Sequence, residues 1–223
     1  MMEHLLIDLD KTLLEINFDE FLKAYFGSLM PKLKKIIIDK DPLNILTVSV
    51  DYMINEKNGE LNIEKFYKKF TELSKIDEEK SKEVFLEFYI NDFPKLGSFG
   101  KPAKNGRETV SKLIESGYKV VLATNAIFPE IAILERMRWA NVNDIDFELV
   151  TTMENMHFAK PHPEYYLEIL EKIKAKSDNV LMVGDDLEMD ILPANKIGIK
   201  TLQYGVDIKD ISEIVNLLSK SNN

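Results

Sequence analysis

Three short apolar runs constrain the fold most, because each is followed within a few residues by polar side chains. They are residues 5–9 (LLIDL), 119–123 (KVVLA) and 180–183 (VLMV). Each is β-branched or leucine-rich, and turn-forming residues bound it. Runs of this kind are typical of strands that are buried on both faces of a parallel sheet. Residues 147–151 and 200–204 are weaker strand candidates.

Helical patterns lie between these runs. Residues 105–116 carry apolar side chains at helical spacing, and Gly117 stands where a glycine commonly ends a helix. Further helices are expected at residues 129–140, after Pro163 and at about 211–219. Strand and helix therefore alternate from about residue 100 onward. This order predicts an α/β fold with a doubly wound (Rossmann-like), mostly parallel sheet.

The interval between the first two strands lacks strong strand signals. Asn17 followed by Glu20 resembles a capping box, which would begin a helix that Pro31 should end. Asp77 could cap another helix that runs to about residue 90, whereas residues 36–53 indicate no clear structure. We therefore expect an α/β core domain of residues 1–14 and 97–223, with residues 15–96 inserted as a helical cap domain.

Composition excludes several classes of function. The chain of 223 residues has no cysteine, which excludes disulfides, zinc-thiolate sites and thiol nucleophiles. Its net charge of −9 disfavours nucleic-acid binding. No stretch approaches the roughly 20 apolar residues of a membrane helix, and the N-terminus does not resemble a signal peptide. A cytoplasmic location is the expectation, and the oligomeric state is left open.

Acidic residues gather at the predicted strand ends, where open α/β sheets bind ligands. Asp8 and Asp10 have the i, i+2 spacing that places two strand side chains on one side, and Asp185 follows the last apolar run. Three carboxylates without histidine or cysteine suit Mg²⁺. Taken alone, these aspartates could equally be turn formers or helix caps. An EF-hand is set aside, because Leu13 stands where that loop needs glycine.

Other polar residues at these ends suit a phosphate group. Thr124 and Asn125 offer a hydroxyl and an amide after the second run, and both could hold phosphoryl oxygens. Lys160, just before Pro161, could supply positive charge. In isolation, a strand-to-helix cap and a solvated surface lysine are the favoured interpretations of these residues. The order of all these signals along the chain favours the functional interpretation.

Taken together, these motifs resemble those of the haloacid dehalogenase (HAD) superfamily. The resemblance rests on DLDKTL from Asp8, on Thr124 after a hydrophobic strand, on Lys160 before a proline and on GDDLEMD from Gly184. The long helical insertion is similar to the first cap class of that superfamily. One departure is Lys11, where the family pattern often has glycine.

The resemblance implies a Mg²⁺-dependent phosphatase that forms an aspartyl-phosphate intermediate. Asp8 would be the nucleophile and Asp10 the general acid and base. The metal ligands would be Asp8, Asp185 and the backbone carbonyl of Asp10. Thr124 and Asn125 would bind the transferred phosphoryl oxygens, and Lys160 would offset charge on the phosphoryl group and on Asp8.

Two further aspartates have supporting roles in this scheme. Asp186 and Asp190 would orient Lys160 or metal-bound water, and either could instead ligate the metal directly. His157 and His162 flank Lys160 and are expected at the surface, whereas His4 should start the first strand and Trp139 should pack in or beside the core.

The partner implied by the resemblance is a small phosphorylated metabolite, with specificity residing mostly in the cap. A phosphomutase on the same scaffold is the main alternative. A dehalogenase is less favoured, because the founding dehalogenases lack the second aspartate that Asp10 provides. A non-catalytic phospho-ligand binder would have no need of a nucleophile.

Overall fold

The computed structural model describes residues 2–221, in which a parallel sheet forms the centre of the molecule. The sheet has five strands in the order β5-β4-β1-β6-β7, and every neighbouring pair is parallel. The strands are β1 (His4–Ile7), β4 (Lys119–Leu122), β5 (Leu149–Val150), β6 (Val180–Gly184) and β7 (Lys200–Gln203). This confirms the predicted doubly wound α/β fold.

The apolar runs form strands because both faces of the sheet are covered. Leu5 and Ile7 belong to one hydrophobic cluster, whereas Leu6 points into the cluster on the opposite face. Successive side chains of a strand alternate between faces, so a strand that is buried on both faces must be apolar throughout. As predicted, His4 starts β1, where its ring forms a hydrogen bond with Glu148.

Helices connect the strands and cover the sheet. They are α5 (Gly106–Glu115), α6 (Glu130–Trp139), α7 (Pro163–Lys172), α8 (Leu192–Lys196) and α9 (Glu213–Ser221). Gly117 follows α5 with a φ of +89°, the left-handed conformation that favours glycine after a helix. Within residues 2–221, no helix has the length and apolar character that would allow it to cross a bilayer.

A helical insertion separates β1 from the rest of the sheet. We use this term for residues 17–99, which lie between the antiparallel strands β2 (Leu14–Ile16) and β3 (Gly100–Pro102). The insertion contains α1 (Phe18–Leu33), α2 (Pro42–Asn55), α3 (Asn62–Ser74), α4 (Glu78–Asn91) and a 3-10 helix (Phe93–Phe99). The predicted domain boundaries at residues 14/15 and 96/97 fall within β2 and the 3-10 helix.

The sequence signals at the helix starts hold, but one expected helix end is wrong. Asn17 accepts a hydrogen bond from the backbone of Glu20 at the start of α1, and Asp77 caps α4. Pro31, which was expected to stop α1, lies inside the helix, which continues to Leu33. A proline in the last turn removes only one helical hydrogen bond, so the helix can pass it before it ends.

Aromatic side chains pack the insertion against the core. The rings of Phe93 and Trp139 stack with centroids 5.2 Å apart, and Phe21 meets Trp139 edge-on at 6.1 Å. Trp139 therefore packs beside the core as expected. These contacts join α1 and the 3-10 helix of the insertion to α6 of the core.

Candidate active site

The candidate site lies where the central strands end. β1 lies between β4 and β6, so the residues that follow these three strands meet at one edge of the sheet. They surround a cavity of about 270 Å³. Its walls combine acidic and basic groups with apolar side chains: Asp8, Asp10, Lys11, Phe18, Asn125, Ile127, Phe128, Arg136, Lys160, Asp185, Asp186, Met189 and Asp190.

Lys160 is the central cation of this site. Its ammonium group donates hydrogen bonds to Asp8 Oδ1 and to Asp190 Oδ1, each at 2.6 Å, and the side chain is only 2% exposed. Burial acts to lower the pKa of Lys160, but the carboxylates of Asp190 and Asp8 outweigh it and hold the pKa well above its ordinary value. The lysine is therefore a permanent positive charge at the base of the cavity, not a solvated surface side chain.

Asp8 is the buried carboxylate beside this lysine. It follows β1 directly, and its backbone N–H donates to the carbonyl of Val183 on the neighbouring strand at 2.9 Å. Burial raises the pKa of the Asp8 carboxyl to about 7, with Lys160 opposing the rise and Asp190 adding to it. A cation bound next to Asp8 would favour the ionised form of this carboxyl group.

Three carboxylates of the site come close enough to share a cation. In the described part of the chain, oxygen atoms of Asp8, Asp185 and Asp190 lie within 4.8 Å of one another. Burial and the neighbouring Asp190 raise the pKa of Asp185, as expected for acids that repel one another. This all-oxygen donor set fits a hard divalent ion such as Mg²⁺.

Asp10 and Asp186 lie outside this carboxylate group. The side chain of Asp10 lines the same cavity but contacts Arg136. Asp186 is exposed, and its carboxylate accepts hydrogen bonds from the backbone N–H groups of Glu188 and Met189. It therefore caps the helical turn that carries Asp190.

Gly184 makes room for Asp190 at the end of β6. A Cβ atom at position 184 would collide with the carboxylate of Asp190, so only glycine fits there. The second oxygen of Asp190 accepts a hydrogen bond from the backbone N–H of Asp186 at 3.2 Å. With one oxygen on Lys160 and the other on this backbone, the Asp190 carboxylate is held in a single orientation.

The two residues predicted after β4 lie differently with respect to the cavity. Asn125 lines it, and its amide oxygen accepts a hydrogen bond from the backbone N–H of Lys160 at 3.1 Å. Thr124 is buried beside the strand end, and its carbonyl accepts hydrogen bonds from Thr151 and Tyr165, each at 2.7 Å. Thr124 is not among the residues that line the cavity.

Lys11 follows Asp10 at the mouth of the cavity. Its backbone has a φ of +57°, in the left-handed region where glycine is more easily accommodated. This conformation gives a physical reason for the glycine that the family pattern often has here. The exposed ammonium of Lys11 also acts to lower the pKa of Asp185, against the burial that raises it.

Arg136 is a charged residue of the site that the sequence analysis did not identify. Its guanidinium is 1% exposed, contacts the carboxylate of Asp10, and lies 5.0 Å from the centre of the Phe128 ring. Burial lowers the pKa of Arg136 to about 10, so the group stays charged at neutral pH. The helical spacing of the sequence could have identified this residue, because Arg136 lies on the buried stripe of α6 together with Ile133 and Met137.

The two histidines near Lys160 in the sequence are partly exposed. Both are half-buried. His157 forms a hydrogen bond with the Glu168 carboxylate at 2.8 Å, and Glu168 also accepts the backbone N–H groups of His157 and Phe158. The side chain of His157 is 38% exposed, as expected for a surface residue, and its hydrogen bond with Glu168 helps to fix the loop before Lys160.

The chain is similar to known hydrolases in sequence and in fold. Pyrophosphatase PpaX of Bacillus cereus (strain ATCC 10987 / NRS 248) is 29% identical over 136 residues, which cover 61% of each chain. The 2-haloacid dehalogenase of Pseudomonas syringae pv. Tomato DC3000 superimposes with a TM-score of 0.62 at 17% identity, over 99% of this chain and 100% of that one.

A second solved structure, the HAD-hydrolase YfnB of Bacillus subtilis bound to magnesium, gives a TM-score of 0.57 at 18% identity, over 97% and 98% of the two chains. These two structural likenesses show the fold alone. The family model of the haloacid dehalogenase-like hydrolases matches residues 5–204, which include every residue of the candidate site. The chain therefore belongs to the haloacid dehalogenase-like hydrolase family.

Proposed function

We propose that the protein is a Mg²⁺-dependent phosphatase that hydrolyses a small phosphorylated metabolite through an aspartyl-phosphate intermediate. The observation that carries the proposal is the pairing of the buried Asp8 carboxylate with the Lys160 ammonium at 2.6 Å, at the base of a cavity. A nucleophile beside a fixed cation suits attack on an anionic ester, because the cation reduces the repulsion between the two anions.

The similarity to PpaX supports chemistry on phosphate groups. That relative is named a pyrophosphatase, and the matched segment covers 61% of its length, less than two thirds. A cavity of about 270 Å³ suits a small leaving group.

Asp8 and Asp10 divide the reaction between them. An Asp8 oxygen attacks phosphorus, forming a new P–O bond while the bond to the leaving oxygen breaks, and Asp10 gives that oxygen its proton. Water then attacks the phosphorus of the acyl phosphate, which releases inorganic phosphate and the Asp8 carboxylate, while Asp10 takes the proton of the attacking water. One group serves both steps because the second step reverses the proton demand of the first.

The neighbouring side chains hold the phosphoryl group. Lys160 offsets negative charge on the phosphoryl oxygens. The amide oxygen of Asn125 accepts the backbone N–H of Lys160, so its amide nitrogen is the atom that can donate to the phosphoryl group. Thr124 is proposed as a further donor from the end of β4. Asp190 orients Lys160 through their 2.6 Å hydrogen bond, while Asp186 fixes the turn in which Asp190 stands.

The residues that would hold Mg²⁺ are Asp8, Asp185 and the backbone carbonyl of Asp10, and Asp190 lies close enough to serve as well. When bound, the ion would neutralise the repulsion between the Asp8 carboxylate and the substrate phosphate. Its removal would leave three carboxylates to repel one another around the cavity.

The helical insertion is proposed to act as the cap that covers the cavity. Phe18 of α1 lines the cavity, so the insertion supplies part of the surface that meets the leaving group. A cap over the site excludes water and strengthens the electrostatic interactions inside it. Substrate specificity would then reside mainly in the helical insertion.

The function is tested by phosphate release from p-nitrophenyl phosphate and a panel of metabolite phosphates, with Mg²⁺ and with EDTA. We expect activity that needs Mg²⁺ and that Asp8→Asn abolishes while the thermal unfolding curve stays cooperative. Asp178→Asn is the matched control, because Asp178 is exposed in the turn before β6, at the opposite end of the strand. Absence of phosphate release from every ester with Mg²⁺ present would overturn the proposal, and an active Asp8→Asn variant would remove Asp8 as the nucleophile.

A further inference from the structure

The N-terminal end of α3 lies against the two loops that carry Asn125 and Lys160. Backbone N–H groups of Asn62 and Ile63 donate to the carbonyls of Met156 and Met153 at 2.8 and 3.0 Å. These hydrogen bonds join the middle of the helical insertion to the core. They are far along the chain from β2 and β3, where the insertion begins and ends. The insertion is therefore fixed to the core at a second place, next to the site.

Asn62 connects the two loops to each other. Its side chain is fully buried, and its amide nitrogen donates to the carbonyls of Ala126 and Phe158, each at 3.1 Å. Ala126 directly follows Asn125, and Phe158 lies two residues before Lys160. One amide group thus spans the same pair of loops that the Asn125–Lys160 hydrogen bond joins inside the cavity.

Lys65, one turn further along α3, contacts the same loop. Its side chain is 1% exposed, and its ammonium donates to the carbonyl of His157 at 2.6 Å and to that of Glu56 at 3.0 Å. Burial lowers the pKa of Lys65, while the nearby Glu168 opposes that change. A lysine this deeply buried is costly unless its hydrogen bonds are satisfied. The two carbonyl groups therefore offset the cost of burying the Lys65 ammonium.

The loop from residue 152 to residue 162 has no strand or helix of its own. Its position depends on groups that hold it from outside. Glu168 of α7 accepts the N–H groups of His157 and Phe158, while Asn62 and Lys65 donate to the carbonyls of the same two residues. The loop is held from the core on one side and from the insertion on the other.

We propose that Asn62 and Lys65 of the insertion are positioning residues for Lys160, which they act on through the main chain of residues 157 and 158. The proposal rests on the proposed phosphatase function, because the benefit of exact placement is felt when Lys160 meets the phosphoryl group. Lys160 must lie within hydrogen-bond distance of both Asp8 and Asp190, and a shift of the loop by a fraction of an ångström would break that geometry. The insertion thus contributes to the catalytic apparatus of the core as well as to its cover.

The test compares Asn62→Ala and Lys65→Met with Asn55→Ala and Lys68→Met. Both control residues are exposed on the insertion: Asn55 donates a hydrogen bond to the carbonyl of Asp51 in its own helix, and Lys68 pairs with Glu60. Steady-state kinetics on p-nitrophenyl phosphate and inhibition by orthovanadate are measured below the unfolding temperature of each variant. Orthovanadate is used because it can adopt the five-coordinate geometry of the transition state.

For each test variant we expect kcat to fall by about 10- to 100-fold while KM changes little, with orthovanadate inhibition weakened in parallel. The controls should keep wild-type values. A purely structural role would lower the unfolding temperature but leave kcat and orthovanadate inhibition of the folded protein unchanged, and that result would overturn the proposal. If Asn62→Ala does not fold, Asn62→Ser, which keeps a hydroxyl donor, replaces it.

Amide hydrogen exchange separates failure of this proposal from failure of the proposed function. We expect the segment 156–160 to exchange faster in Asn62→Ala and Lys65→Met than in the two controls, whether or not any ester is hydrolysed. Unchanged exchange in this segment would overturn the positioning role. A wild-type protein that hydrolyses nothing, but whose loop loosens in the variants, would overturn the phosphatase function instead.

Discussion

The guanidinium of Arg136 contacts the carboxylate of Asp10, and both groups line the cavity that Asp8 and Lys160 share. Arg136 comes from α6 of the core, and its guanidinium lies over the rings of Phe128 and Phe21, whose centres are 5.0 and 6.0 Å away. A buried planar cation that packs on two aromatic rings has little freedom to move. It can therefore fix the direction in which the proposed acid points.

Replacement of Arg136 should affect substrates unequally. In Arg136→Met, Asp10 loses the group that orients it. General acid catalysis raises a reaction rate by about 10²- to 10⁴-fold, and the variant should lose part of that gain. Alkyl phosphates, whose leaving oxygen needs a proton, should lose far more kcat than p-nitrophenyl phosphate. Arg138→Met is the control on the same helix, because Arg138 is 59% exposed and pairs with Glu135. An equal loss on both substrates would contradict the orienting role.

Gly184 should tolerate no side chain. In Gly184→Ala the new methyl group would displace the Asp190 carboxylate from Lys160, so we expect loss of phosphatase activity and a lower unfolding temperature. Gly27→Ala is the control, because a Cβ there meets no atom within 4 Å and alanine favours the helix by about 0.5–1 kcal/mol. An active Gly184→Ala variant with unchanged stability would show that Asp190 can move without consequence.

Mg²⁺ should stabilise the folded protein through Asp185. A ligand present at 100 times its Kd adds about 2.7 kcal/mol to the free energy of unfolding, and differential scanning fluorimetry would show this as a rise in the unfolding temperature. Asp185→Asn should abolish the rise. Asp186→Asn should keep most of it, because asparagine can still accept the capping hydrogen bonds from the backbone N–H groups of Glu188 and Met189. A wild-type unfolding temperature that does not respond to Mg²⁺ would count against a metal site among these carboxylates.

Asp210 should make stability depend on pH in the acid range. Hydrogen bonds from Ser212 and Asn105 lower its pKa to about 2 from an ordinary 3.8. A carboxyl group whose pKa is lower in the folded state stabilises the fold above pH 3.8, and that contribution disappears as the pH falls toward 2.

Asp210→Asn tests this sign. At neutral pH the variant should be less stable than the wild type by roughly 1 kcal/mol, since solvent weakens the contribution of a partly exposed group. The difference should vanish near pH 2 in urea-unfolding experiments. The exposed Asp178→Asn serves as the reference. A difference that stays constant from pH 7 to pH 2 would assign the effect to packing.

The sequence predicted the strands that organise the site. Apart from Asp8 and Lys119, residues 5–9, 119–123 and 180–183 are apolar, as expected of strands that are covered on both faces. The strands β1, β4 and β6 overlap these runs. Because parallel strands end at one edge of the sheet, the sequence alone predicts that the polar residues after these strands lie close together at that edge. The helical nature of residues 15–96 followed from the absence of such runs and from the caps at Asn17 and Asp77.

Only the tertiary structure decided which side chains touch. Asp190, expected to have a supporting role, shares the carboxylate cluster with Asp8 and Asp185, whereas the carboxylate of Asp10 contacts Arg136. The contact partners of Arg136, Asn62 and Lys65 are not evident from the sequence, because local patterns carry no information about which distant segments meet. Propensity and alternation determine a strand or a helix over a few residues, but the partners of a buried charge depend on how the insertion and the core pack.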